Sequence, residues 1–261
     1  MRISTTRNTR ARWSLRTASK LLKPVAALAF WLFIWWLISL AIGKALILPS
    51  PATVAKTLGR LCTQSEFWRT AGNSLLKIFL GFIAGVLAGV GFAVLTSCSK
   101  AADMLVSPFI RVIRATPVAS FIILVILWVT RSLVPSLMSA LMVLPVVWGG
   151  LCTAIKSTDI DLLEMAKTYG FGRLKTLRLV YIPSVLPAFL SSCLTAQGLA
   201  WKSGVAAEVL CLPSLSIGTQ LYNSKIYLET ADLFAWTAVV IILSFLLEKL
   251  CRVLVRRYER T

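Results

Sequence analysis

The chain has 261 residues, 57% of them apolar and only 15% charged, with a net charge of +18 and a mean hydropathy of +0.81. A soluble domain averages about 45–50% apolar and roughly a quarter charged, so the balance excludes an ordinary water-soluble domain and makes lipid the solvent for most of the chain. Seven basic residues precede the first apolar run (Arg2, Arg7, Arg10, Arg12, Arg16, Lys20, Lys23) and five follow the last (Lys249, Arg252, Arg256, Arg257, Arg260). They flank spans instead of forming a soluble basic face, which argues against nucleic acid as a partner.

Residues 24–43 read as a first membrane span. The run is too long for a secretory leader, and no small-residue cleavage site follows it. Pro49 and Pro51 break any continuation. Val54, Leu58 and Leu61 then recur at helical spacing, predicting a short amphipathic helix on the outer surface. The second span covers 75–96, where Gly81, Gly85 and Gly89 form a small-residue stripe suited to close packing within the chain. Further spans are expected over 112–130, 133–152, 186–207 and 232–250.

Six spans put both termini on one side. That side carries 20 basic residues against seven on the other, with Lys202 inside the fifth span, so both termini are expected in the cytoplasm. There is no histidine, and the six cysteines show no metal-ligand spacing, so no metal site is expected. They read as small apolar residues, with a Cys62–Cys211 disulfide left open should both face an oxidising compartment.

The segment 157–185 is the most informative. Ser157 to Asp159 offer N-cap oxygens, and Asp159, Asp161 and Glu164 lie early in the helix they would start. Gly170 stands where a helix C-terminal glycine belongs. Leu174, Leu177 and Tyr181 form a stripe on a second helix, among Arg173, Lys175 and Arg178, and Pro183 is expected to end or kink it. The pattern predicts two short helices outside the bilayer.

Permeases of binding-protein-dependent ABC importers carry an EAA loop: E-A-A, three residues, G, nine residues, then I-x-L-P. This chain resembles it with Glu164-Met165-Ala166, Gly170 and Val180-Tyr181-Ile182-Pro183 at the same spacing. LPSPATV (48–54), Arg114-Ala115-Thr116-Pro117, ILW (126–128) and WKSGVAAEVLCLPSLSIG (201–218) resemble the nitrate, sulfonate and taurine branch of that family. Thr130 and Cys211 depart from glycines common there.

The resemblance implies an all-α membrane protein of about six transmembrane helices, of the type I importer permease kind. It has basic cytoplasmic tails at 1–23 and 251–261 and a permease domain at 24–250. Glu164, Ala166, Gly170, Val180, Ile182 and Pro183 would form the ATPase-coupling loop. The implied partners are an ABC ATPase in two copies, an extracytoplasmic solute-binding protein and a second copy of the permease as a homodimer, in the bacterial inner membrane.

The chain has no G-x-x-x-x-G-K-[ST], so ATP belongs on the partner subunit and no cofactor is expected here. It is read as a transport subunit and not an enzyme. Lys202, Gln197 and Ser203 are the candidate lining of the translocation path, and Lys202 suits a small anionic solute such as a sulfonate, taurine or nitrate. A self-sufficient secondary transporter or a channel is the alternative. The first would be expected to carry inverted repeats and midplane ionisable groups, and only Lys202 comes near.

Overall fold

The computed structural model describes residues 9–258, and the regular elements among them are all helical. In chain order they are α1 (Thr9–Ile42), α2 (Pro51–Cys62), α3 (Ser65–Cys98), α4 (Lys100–Ala115), α5 (Val118–Ile126), α6 (Val134–Lys156), α7 (Ile160–Thr168) and α8 (Arg173–Thr176). A π turn (Leu177–Tyr181) leads into α9 (Ile182–Cys211), followed by α10 (Ile217–Ile226) and α11 (Thr230–Tyr258). Five helical runs are long and apolar enough to cross a bilayer, and six if the bent pair α4–α5 counts as one.

α6 is held between α3 and α9. The glycine stripe of α3 explains the first contact. A Cβ at Gly85 would lie 2.6 Å from the Ala140 carbonyl oxygen, one at Gly89 2.9 Å from Val147 Cβ, and one at Gly81 would overlap the backbone of Ser136. Only hydrogen at these positions lets the backbones approach so closely. Ile78, Val143, Val147, Leu151 and Trp201 fill the space between the three helices. A second cluster, from Ile122 and Val125 to Met138 and Ala207, seats α5.

α2 forms as expected: Ser50 Oγ accepts from Thr53 N–H at 3.3 Å and Pro51 occupies the first turn. It buries Val54 and Leu61 and is tied to α11 by Arg60–Asp232 at 2.7 Å.

Two expectations need correction. The third span is not a continuous helix over 112–130, because α4 and α5 meet at 105°. The residue before a proline is pushed out of the helical region, and Thr116, before Pro117, is extended at φ −78°, ψ 128°. α5 alone, nine residues long, reaches only about 14 Å.

Nor does Pro183 end a separate short helix. The turn before it widens instead, so that Ile182 N–H donates to the Leu177 carbonyl five residues back, and the helix passes through Pro183 into α9. The basic segments counted as tails fall partly outside the described residues, while α1 already begins at Thr9. All six cysteines are free; Cys62 is exposed and Cys211 buried.

Candidate functional site

α7 is assembled by local hydrogen bonds. Asp159 caps its start, Oδ1 accepting from Asp161 N–H at 2.9 Å. At its end Gly170 is left-handed, φ +65°, with Gly170 N–H donating to Lys167 O at 3.0 Å and Phe171 N–H to Ala166 O at 2.9 Å. Those two bonds are the Schellman arrangement. Nothing lies within 4 Å of where a Gly170 side chain would begin, so backbone conformation alone calls for glycine there.

α7 packs on the π turn, and each buries one coupling-loop candidate: Ala166 is fully buried and Val180 nearly so. The anchor of the second segment is therefore Val180. The expected stripe faces outward instead, Leu174 being 81% and Leu177 50% exposed. Glu164 and Pro183 are exposed, as is Ile182. Ile160, Met165, Tyr169 and Leu174 leave an apolar surface around the elbow, beside Lys175 Nζ, which sits 4.1 Å over the Phe171 ring. Apolar side chains gathered on an elbow of this kind suit a protein partner.

Arg173 to Cys211 is one helical run of 39 residues. At 1.5 Å per residue it measures about 58 Å, far beyond the roughly 30 Å of hydrocarbon. The loop segment and α9 are thus one continuous rod.

The three path candidates separate on α9. Lys202 shares an exposed face with Ser191, Thr195, Leu199, Ala206 and Leu210. Gln197 and Ser203 are both buried, on different sides of the helix; Ser203 Oγ donates to Ala200 O at 3.2 Å, and Gln197 Oε1 has no partner among the described residues. Ser192 Oγ donates back to Ala188 O at 2.8 Å, as a helical serine does.

Sequence reading missed two features here. At the α7 end, a cavity of about 810 Å³ opens between α4, α6 and α9, with Arg114 and Lys156 in its wall. At the opposite end of α9, buried Glu208 accepts from Gly218 N–H at 3.0 Å through Oε2 and so holds the start of α10. Both depend on partners far apart in sequence; the only early signal was Arg114 before Thr116-Pro117 and Glu208 within VAAEVL.

The model of the binding-protein-dependent transport system inner membrane component family matches residues 77–260. The taurine transport system permease protein TauC of Escherichia coli K12 is 26% identical over 256 residues, covering 95% of this chain and 92% of that protein. The putative aliphatic sulfonates transport permease protein SsuC of the same strain is 30% identical over 257 residues, with the same shares covered. A crystal structure of an amino acid ABC transporter with histidines superposes with a TM-score of 0.57 at 21% identity, over 70% of this chain and 90% of that one, a likeness of fold. The chain belongs to the binding-protein-dependent transport system inner membrane components and is a multi-pass inner-membrane permease subunit of an ABC importer, a transport component and not an enzyme.

Proposed function

We propose that this permease forms half of the path for a small anionic solute of the sulfonate or taurine kind, and that the loop from Glu164 to Pro183 receives the stroke of a separate ATPase. The observation that carries the reading is the continuity of the loop with the path helix: from Arg173 to Cys211 there is no break in the rod. A partner pressing on α7 moves Ala166 against the π turn and, through it, α9. Coupling of two sites requires an element whose two positions both sites bias, and a stiff rod crossing the bilayer supplies one.

The remaining parts follow from this reading. The basic residues favour cytoplasmic termini and a cytoplasmic elbow. A second copy completes the path, an extracytoplasmic binding protein delivers the solute, and ATP stays on two ATPase subunits. The names of TauC and SsuC support a sulfonate-type cargo.

The test is paired. Glu164→Ala and Gly170→Val should abolish uptake and the stimulation of ATPase activity by loaded binding protein, while the chain still inserts and spans. Undiminished uptake in both variants would sink the coupling assignment, and uptake without any ATPase would favour the secondary-transporter reading.

A further inference from the structure

Resting on the reading of an anionic cargo, we propose that the cavity between α4, α6 and α9 is a low-affinity anion site, with Arg114 as the group that contacts the solute's sulfonate or equivalent anionic head. The cavity's volume, about 810 Å³, falls in the roughly 300–1,000 Å³ range of small-molecule sites. Its wall carries two cations, Arg114 and Lys156, and the hydroxyls of Ser157, Ser184, Ser191 and Ser192, and none of the residues lining it is acidic.

Arg114 is held in place from behind. Its Nη2 donates to the Pro145 carbonyl at 2.5 Å. Gly149, one turn further along α6, makes room for it, since a Cβ there would collide with the guanidinium. That bond uses one of the five N–H donors the group carries. Among the described residues no carboxylate forms an ion pair with Arg114. Arg114 is exposed to the cavity at the break of a bent span, and, anchored by one bond with no carboxylate paired to it among the described residues, it keeps donors free for a ligand. A guanidinium presents a planar fork that matches the oxygens of a sulfonate.

The hydroxyls complete the chemistry. Ser184 Oγ donates to Val180 O at 2.7 Å, Ser192 Oγ to Ala188 O at 2.8 Å and Ser157 Oγ to Ala154 O at 3.2 Å. Each can rotate to donate to an anion instead, at the loss of a single helix-backbone bond. The arrangement therefore offers an exchangeable, weak set of donors around one fixed cation, as a site that must also release its solute requires.

The location adds a consequence. Lys156 and Ser157 end α6 where the coupling loop begins, and Ser184 lies just after the π turn where that loop becomes α9. The cavity is thus bounded by the two helices that the elbow joins. Any stroke that shifts α9 against α6 changes the site, and release of the anion is tied to the loop's position.

The experiment uses Ser191→Cys, at the cavity wall, in membranes containing the assembled transporter, with modification at position 191 read by peptide mass spectrometry so that the native cysteines stay in place. At low ionic strength, the anionic 2-sulfonatoethyl and cationic 2-(trimethylammonium)ethyl methanethiosulfonates are compared. Adding Arg114→Gln should lower the anion-to-cation rate ratio about tenfold. Millimolar ethanesulfonate should slow labelling in the parent and not in the Arg114→Gln chain, and the uncharged methyl reagent should react equally with both. Arg114→Lys should keep the rate ratio and lose most of the protection.

An unchanged ratio in Arg114→Gln, or equal protection in both chains, overturns the site. If Arg114→Gln alters the methyl reagent's rate, Arg114→Lys becomes the deciding chain, and undiminished ethanesulfonate protection there overturns the fork. These readouts are independent of ATPase coupling, so failure of the anion site leaves the elbow tests standing, and failure of the elbow leaves these measurements interpretable.

Discussion

α7 and α9 both end in a left-handed residue, and the two ends are built by opposite means. At Gly170 the conformation is free of steric penalty, and the bonds that fix it all lie within the elbow. At Leu212, φ +51°, a branched side chain occupies the same region, and Leu215 repeats it at φ +51°. Left-handed backbone costs an L residue about 1–2 kcal/mol. That second turn is held from outside: Asn73 Nδ2 donates to Leu215 O at 2.7 Å, Ser74 Oγ accepts from Ile217 N–H at 2.9 Å, and Glu208 Oε2 accepts from Gly218 N–H at 3.0 Å. One end is a local device that can move as a body, and the other is strained backbone clamped to α3 and α9. The coupling proposed for the elbow would use that asymmetry, with force entering at the local device and shape kept at the clamped end.

The largest effect should come from unclamping. Glu208→Ala leaves a buried N–H without its acceptor, which alone costs about 1–3 kcal/mol, and opens a void between α9 and α10. The purified transporter should melt several degrees lower, and protease should cut between residues 212 and 229 far sooner. An unchanged melting temperature would mean that the clamp holds nothing.

Gly170→Ala should behave differently. With empty space around the position, the penalty is the left-handed conformation alone, about 1–2 kcal/mol, and it falls on the elbow. Global melting should shift little while solute-stimulated ATPase activity drops sharply. A large loss of global stability would show that the elbow is not the free-standing device its bonds describe.

This contrast also explains what could be read from sequence. Asp159 and Gly170 announce α7 because a cap and a C-terminal glycine act on their own neighbours, and the glycines of α3 announce close packing because their spacing is helical. Four other features were hidden. The break at Thr116-Pro117 lies at the edge of an apolar run that reads as one span, and proline's effect on the residue before it weighed less than hydropathy. The π turn absorbs Pro183, so of the two outcomes expected there, an end or a kink, the helix does not end but has one widened turn just before the proline. Lys202, Gln197 and Ser203 share a stretch of α9 but not a face, and packing of α9 against α3, α6 and α11 leaves Lys202 exposed while Gln197 and Ser203 are buried. The cavity around Arg114 needs side chains from three helices, and no local pattern announces it.

The sharpest test of the comparison is a coupling measurement. Leu212→Gly removes the left-handed penalty of about 1–2 kcal/mol, against about 0.5–1 kcal/mol of extra backbone entropy lost by glycine on folding. Loss of the half-buried Leu212 side chain adds a cost that both backgrounds share, so the difference between backgrounds is what reads the strain. If strain at Leu212 persists because the Glu208–Gly218 bond and its neighbours impose it, then releasing that bond lets the backbone relax before glycine is introduced. Leu212→Gly should then stabilise the parent by about 1 kcal/mol more than it stabilises the Glu208→Ala chain, a non-additivity of the size that residues sharing one network display. Equal effects in the two backgrounds would mean that the turn is left-handed for reasons of its own, and that the two helix ends differ in sequence but not in how they are held.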